Sequence, residues 1–277
     1  MYSDILLPLI THPDASSESV ATNAARVAKC LGAQLHAMAL EVEVPDISNA
    51  LSGLLLDLPK LIREVEESSR AKGQRLLQIV ADKAASLSIE CRVENIHARE
   101  TEFGPVAANA ARYHDLSLIG WTASNATTQV VAEALIFESG RPVVVLPEAE
   151  TETIKHVAIA WDGSRVAARA VSDAMPFLRK AKAISIVVVT DEKPIKDGSG
   201  AKLLADYLAK RGHRSSVHSV HAAGRRIGET LQAEAQKLGA DLLVMGAYGH
   251  SRLRQFVLGG ATSGVLEDLR MPVLLSH

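Results

Sequence analysis

The 277-residue sequence has few cysteines, no excess of either charge and no apolar run long enough to cross a bilayer. Its two cysteines, Cys30 and Cys91, are far apart and have no partner motif, which predicts reduced, buried thiols in a cytoplasmic protein. A net charge of −2 with both signs mixed removes the general electrostatic argument for a nucleic-acid partner. The amino terminus is a short apolar strand without a basic region before it, so we expect neither a signal peptide nor a membrane partner.

Motifs of the common catalytic sites are also missing. The sequence contains no GxSxG, Walker A or HExxH motif, and it offers no acid pair with diagnostic spacing. His213, His218 and His221 lie close together, but no cysteine or carboxylate cluster completes a tetrahedral metal set. We therefore predict no metal site and no catalytic residue, with at most slow, incidental hydrolysis of a bound nucleotide.

The sequence does contain an internal repeat. DLSLIG at 115–120 returns as DLLVMG at 241–246, an offset of 126 residues. Downstream, RPVVVL at 141–146 is matched imperfectly by RMPVLL at 270–275. Self-similarity at so long a period indicates two copies of one domain rather than a solenoid.

The two copies predict two domains, 1–148 and 154–277, joined by a polar linker rich in Thr and Glu. In each copy, short apolar runs alternate with helical patterns, which is typical of βαβ units. The predicted helices are 17–31, 58–87, 102–113 and 133–137 in the first domain, and 167–180, 200–210, 228–238 and 262–269 in the second. Five strands and four helices per domain indicate a doubly wound, Rossmann-like parallel sheet with helices on both faces.

Four glycines follow the buried strand predicted at 241–245. Gly246 and Gly249 come at the end of the strand, and Gly259 and Gly260 precede a predicted helix. Glycine allows left-handed turns and a close approach of backbone N–H groups to an anion, and a helix N-terminus adds positive dipole. The pattern predicts a nucleotide-binding loop, although glycines that only make turns and close packing contacts are the alternative.

The full segment from 246 to 262, GAYGHSRLRQFVLGGAT, resembles the ATP-binding loop of the universal stress protein family. In that family two residues separate the first two glycines, nine separate the second from the third, and a small hydroxyl residue follows. Gly246, Gly249 and Gly259 fit this spacing, whereas Gly260 stands where the hydroxyl residue is usual. The resemblance implies two tandem Rossmann-like, adenine nucleotide α-hydrolase-like domains, with ATP or a related adenine nucleotide as ligand and Mg as its companion.

The resemblance also carries roles onto other residues of the second domain. Asp162, just after a strand, would approach the adenine, although Asp162 or Ser164 as a helix cap is an equal alternative. By their side-chain chemistry, His250, Arg252 and Arg254 would surround the phosphates, or they belong to a solvated loop over a packed floor. The candidate ligand-contacting residues are Asp162, Gly163, Ser164, Val188, Val189, Thr190, Gly246, Gly249, His250, Arg252, Gly259, Gly260, Ala261 and Thr262.

The first copy departs from this pattern. No second glycine follows Gly120 before Gly140, and Thr11, His12, Pro13 and Asp14 replace the Asp-Gly-Ser turn of the second copy. We therefore predict that the first domain has lost nucleotide binding and serves as a structural or sensing half.

Three classes of function remain open from the sequence. The first is a stress-response regulator that binds an adenine nucleotide, and the second is an adaptor that binds none, which Gly260 favours. An enzyme of the related hydrolase superfamily is the third, but the turn after Trp161 lacks the required loop. The resemblance further implies pairing of the two domains through their last strands, 142–146 against 272–275, while pairing of two whole chains stays open.

Overall fold

The computed structural model describes residues 2–45, 58–191, 200–247 and 260–277. In these residues, strands rich in Val, Ile, Leu and Ala alternate with helices, as the apolar periodicity predicts. The strands are β1 (Asp4–Ile10), β2 (Gln34–Val42), β3 (Cys91–Ala98), β4 (Leu116–Gly120) and β5 (Val143–Leu146) in the first half, and β6 (His156–Ala160), β7 (Ala183–Val189), β8 (Ser216–Val220), β9 (Leu242–Gly246) and β10 (Val273–Ser276) in the second.

The helices follow the predicted positions with two differences. They are α1 (Ser19–Leu31), α2 (Leu58–Ser86), α3 (Phe103–Ala111), α4 (Ala126–Glu138), α5 (Arg165–Asp173), α6 (Met175–Leu178), α7 (Gly200–Ala209), α8 (Ile227–Lys237) and α9 (Ala261–Glu267). The helix predicted at 133–137 begins earlier, because the side chain of Asn125 caps it by accepting the N–H of Thr128. The helix predicted at 167–180 is divided into α5 and α6, with Pro176 in the first turn of α6.

All ten strands form one sheet, in the order β3-β2-β1-β4-β5-β10-β9-β6-β7-β8. Within each half the strands are parallel, and β1 or β6 lies at the centre, as in doubly wound folds. The halves join where β5 and β10 pair antiparallel, with Val145 opposite Val273 and Val143 opposite Leu275. The predicted pairing through the last strands is therefore confirmed, and it places the carboxyl ends of the two parallel sets at opposite edges of the sheet.

The core lies on both faces of this sheet and is continuous across the two halves. One face is covered by α1, α2, α5, α6 and α7, and the other by α3, α4, α8 and α9. The segment between β5 and β6 is held by Asn23 of α1, whose side-chain amide donates to the carbonyls of Pro147 and Ala149. Each of the two core clusters contains residues from both halves, so each half buries apolar side chains against the other.

The two cysteines are free and half-buried rather than fully buried as predicted. Cys30 lies on α1 beside the segment that joins the halves, and its Sγ is 3.6 Å from the carbonyl of Ile154. Burial raises the pKa of both thiols. Neither thiol is therefore activated as a nucleophile by its surroundings.

Candidate functional site

The turn after β6 brings three of the predicted site residues together at the carboxyl edge of the second half. Ser164 caps α5 by accepting the N–H of Ala167 at 3.2 Å. Asp162 is exposed, and its Oδ1 accepts the N–H of Ser164 at 2.9 Å. Gly163 between them has a φ of +73°, a left-handed conformation that favours glycine. The capping alternative thus holds for Ser164, while Asp162 supports the turn and keeps its side chain at the open rim.

Gly246, the last residue of β9, lies against the first turn of α5. A Cβ added to Gly246 would come within 2.6 Å of the carbonyl carbon of Val166 and 2.7 Å of the nitrogen of Ala167. The hydroxyl of Thr262 on α9 lies 3.5 Å from the Gly246 carbonyl oxygen. Gly246 and Thr262, which stand on either side of the predicted loop, therefore lie close together, and Gly246 lies against the start of α5.

The predicted adenine-side residues have three different environments. Val188 is fully buried in the core on the α5 face, so its side chain serves packing. Val189 is half-buried on the opposite face. Thr190 is exposed, and its Oγ1 is 3.2 Å from Nδ1 of His221, the residue that follows β8. Of these three residues, Val189 and Thr190 therefore have side chains that are not buried.

Four of the predicted residues, Gly249, His250, Arg252 and Gly259, lie outside the described residues. Their neighbours on the return side are described. Gly260 is exposed and extended, with φ 169° and ψ 162°, and Ala261 begins α9. Their role in binding phosphate stays a prediction.

Two further residues at this edge were not predicted from the sequence. The indole nitrogen of Trp161 is buried and has no hydrogen-bond partner in the described part of the chain. Asp191, just beyond β7, accepts the N–H groups of Ala222 and Ala223 at 2.8 and 2.9 Å, and these bonds lower the pKa of its carboxyl. The signal for Asp191 was its place after a strand end, but its partners come from the next connection along the sheet.

The equivalent edge of the first half is closed by its own side chains. Gly120 packs against α1 as Gly246 packs against α5, since an added Cβ would lie 2.9 Å from Cγ2 of Val20. Trp121 follows and is buried, and the Asn125 side chain donates to the carbonyl of Asp14. The cavity beside Gly120, Trp121 and Asn125 has a volume of about 10 Å³, which is room for one water molecule.

A comparison of Gly120 with Gly246 tests whether these glycines indicate nucleotide binding or helix packing. Both are needed for close helix packing, and only the second half continues with loop glycines. Gly246 alone is therefore explained by packing, and the case for a nucleotide depends on the segment after it.

Two broad alternatives find no support in the described ranges. No helix there combines the length and apolar character of a membrane span. His, Cys, Asp and Glu side chains of the described residues form no group of three suited to a metal ion.

Comparisons with known proteins agree with this architecture. Residues 153–277 match the model of the universal stress protein family. The universal stress protein Slr1230 of Synechocystis is 30% identical over 150 residues, which cover 51% of this chain and 49% of that protein. The chain thus spans about half the length of this curated relative.

Among solved structures, a universal stress protein from Archaeoglobus fulgidus has a TM-score of 0.70, with 17% identity, and the match covers 98% of this chain and 95% of that one. A family member from Arabidopsis thaliana, solved with AMP bound, covers 52% of this chain with a TM-score of 0.36 and 13% identity, and the match takes in 91% of that chain.

The doubly wound halves define an adenine nucleotide α-hydrolase-like fold, present twice in one chain. The C-terminal half of the chain, residues 153–277, matches the universal stress protein family, and the N-terminal half repeats the fold of that segment.

Proposed function

We propose that the second half binds ATP or a related adenine nucleotide and that the protein acts as a stress-response regulator. The observation that carries this proposal is that the two ends of the glycine-containing segment lie close together, with Gly246 against the start of α5. Gly246 contacts Val166 of that helix, and Thr262 returns to within 3.5 Å of the Gly246 carbonyl. A glycine-rich segment next to a helix N-terminus is the arrangement that binds phosphate through backbone N–H groups.

The electrostatics of the edge support an anionic ligand with an uncharged base. Helix α5 directs its first-turn N–H groups and positive dipole end toward the segment, and Ser164 satisfies only one of those groups. Asp162 is exposed beside them and is available to a base amino group. Turnover of the nucleotide is proposed to be slow and incidental, and the half-buried free thiols motivate a cytoplasmic location.

The test is the nucleotide content and affinity of the full chain. The freshly purified protein is denatured, its supernatant is run on a nucleotide-resolving column, and the emptied protein is titrated with ATP–Mg by calorimetry. We expect about one nucleotide per chain, since the cavity beside Gly120, where the first half would hold a phosphate, has a volume of only about 10 Å³. Two nucleotides per chain would contradict the prediction that the first half binds none.

A matched pair of variants locates the site. Gly249→Val should abolish binding, because a branched side chain fills the cradle and disfavours positive φ. Ala123→Val places the same side chain at the equivalent position of the first half, 126 residues earlier, and should leave affinity unchanged. Equal affinity of both variants would refute the loop assignment.

An adaptor that binds no nucleotide is the second candidate. Gly260 favours it because it lacks the hydroxyl that the family pattern has, and Gly246 favours it because packing alone explains that glycine. An empty protein that also gives no heat with ATP–Mg would move the assignment to this candidate.

A further inference from the structure

The first half contains a buried carboxylate that lacks a full set of partners. Glu41, at the carboxyl end of β2, is 2% exposed. Its Oε2 lies 3.5 Å from Nδ1 of His97 and 4.0 Å from Nε of Arg70, and its Oε1 has no hydrogen-bond partner within the described ranges. Leaving a buried charged group incompletely paired is costly, and no described residue completes the set of partners for Glu41.

This carboxylate lies in the wall of an open cleft of about 380 Å³. That volume is within the usual range of small-molecule sites. The residues that line the cleft are Glu41, Val42, Glu43, Glu66, Arg70 and His97. Three carboxylates face one guanidinium and one imidazole, so the cleft favours a positively charged guest.

The described residues at the position of the cleft differ between the two halves. In the second half the position equivalent to Glu41 is Thr190, which faces His221 as Glu41 faces His97, and there the two side chains lie 3.2 Å apart. The first half adds α2, 29 residues long against 10 in α7, and this helix forms one wall of the cleft.

Gly73 of α2 is what lets that helix lie so close to Glu41. A Cβ at Gly73 would come within 3.0 Å of Oε1 of Glu41 and 3.3 Å of the Ala39 Cβ. The missing side chain therefore makes room for a buried acid that the second half lacks.

We propose that this cleft binds a small organic amine, with an ammonium group held by the carboxylate of Glu41. An ammonium supplies several N–H donors to a carboxylate in a charge-assisted contact. A metal ion such as Ca²⁺ would need six or more oxygen ligands, and no group of three metal-binding side chains occurs in the described part of the chain. Arg70, half-exposed and at the outer limit of an ion pair, is a tethered competitor that the guest displaces.

The first experiment titrates the full chain with spermidine by calorimetry. Glu41→Gln keeps the size of the side chain and removes its charge, so affinity should fall by at least about tenfold. Glu67→Gln removes the same charge from an exposed position on α2, outside the cleft lining, and it should have little effect. Equal weakening in both variants would reduce the binding to general charge attraction and overturn the proposal, as would a wild-type chain that gives no heat in the millimolar range.

In a second pair of variants, spermidine affinity should rise rather than fall. This test does not depend on whether the Glu41→Gln variant folds. Arg70→Gln removes the competing guanidinium and should strengthen spermidine binding several-fold, whereas Arg63→Gln, elsewhere on α2, removes a positive charge without this gain. If the two arginine variants gain equally, or Arg70→Gln weakens binding, the assignment of the cleft fails. Nucleotide affinity should be unchanged in all four variants, because the proposed nucleotide site lies at the opposite edge of the sheet, so failure of one proposal leaves the other intact.

Discussion

The indole nitrogen of Trp121 donates a hydrogen bond of 2.7 Å to the carbonyl of Leu266, 145 residues further along the chain. Trp121 follows β4 at the carboxyl edge of the first half, and Leu266 lies on α9 of the second. Trp121 stands where the second half has Ala247, at the start of its glycine-containing segment. The residue that helps close the edge of the first half is thus also a tie between the halves, in keeping with a structural role for that half.

Removing this tie should destabilise the whole protein. Trp121→Phe leaves the buried carbonyl of Leu266 without its donor, and we expect the free energy of unfolding to fall by about 1–3 kcal/mol. The measurement is the urea midpoint at unchanged m-value. Trp161→Phe is the control, because that indole nitrogen has no partner in the described residues and the ring volume lost is the same. Equal losses in the two variants would show that the hydrogen bond contributes nothing beyond volume.

The two packing glycines should respond differently to the same substitution. In Gly246→Ala the new methyl meets backbone atoms of Val166 and Ala167 at 2.6 and 2.7 Å, and helix α5 must move. In Gly120→Ala it meets a methyl of Val20 at 2.9 Å, which side-chain adjustment can relieve in part. We expect a loss of about 1–3 kcal/mol or more at Gly246 and a smaller loss at Gly120, measured by chemical denaturation. The reverse order would contradict the packing described for α5.

A prediction of pH dependence follows from His36 on β2. Burial, followed by the positive charge of Arg92 and the nearby His114, lowers the pKa of His36 despite the opposing contact with Glu94. The ring nitrogens of His36 lie 3.0 Å from His114 Nε2 and 3.0 Å from Glu94 Oε2, and Oδ2 of Asp4 lies 3.7 Å from the same nitrogen of His114.

Because the folded state binds this proton less readily than the unfolded state, the unfolded state takes up more protons below its pKa of about 6.5. Stability attributable to His36 is complete above that value and is lost as the pH falls from it through the lowered pKa of the folded state. Urea titrations between about pH 7.5 and pH 5 should show this decline, and it should be shallower in His36→Gln. An identical slope in the variant would exclude His36 as its source.

The sequence predicted most helices and strands because their positions depend on residues that are close together in the chain. The apolar spacing of α2 predicted both ends of that helix to within one residue. The proline at 272 marked the start of β10, the strand through which the second half pairs with the first. Two helix boundaries were wrong where one residue decides the outcome: Asn125 starts α4 early, and Pro176 lies in the first turn of the separate α6.

Features that depend on distant contacts could not be predicted. From the sequence, Trp121 is an ordinary loop residue, and only the fold shows that its indole nitrogen contacts α9 of the other half. From the sequence, Glu41 is a charged residue at a strand end, where exposure is expected. The fold shows that its carboxylate is buried, because α2 packs over it at Gly73. The similar places of His97 and His221 could be seen from the repeat, but their different partners could not.

Gly260 offers the sharpest test of the proposed nucleotide site. Its backbone is extended, a conformation open to any residue, and an added Cβ would meet no atom within 4 Å. Gly260→Ser should therefore fold normally while restoring the hydroxyl that the family pattern has at this position. One more neutral hydrogen bond to phosphate is worth about 1 kcal/mol, so ATP–Mg affinity should rise about fivefold in calorimetry.

Gly260→Ala isolates the hydroxyl in this test, because it adds the same Cβ and restricts the unfolded chain in the same way. If serine and alanine bind ATP–Mg equally, residue 260 does not contact phosphate, and a first-turn hydroxyl for that role would have to come from Ser263 or from Thr262. Its Oγ1 already lies within 3.5 Å of the Gly246 carbonyl, so taking up phosphate there would require that hydroxyl to turn away from the end of β9.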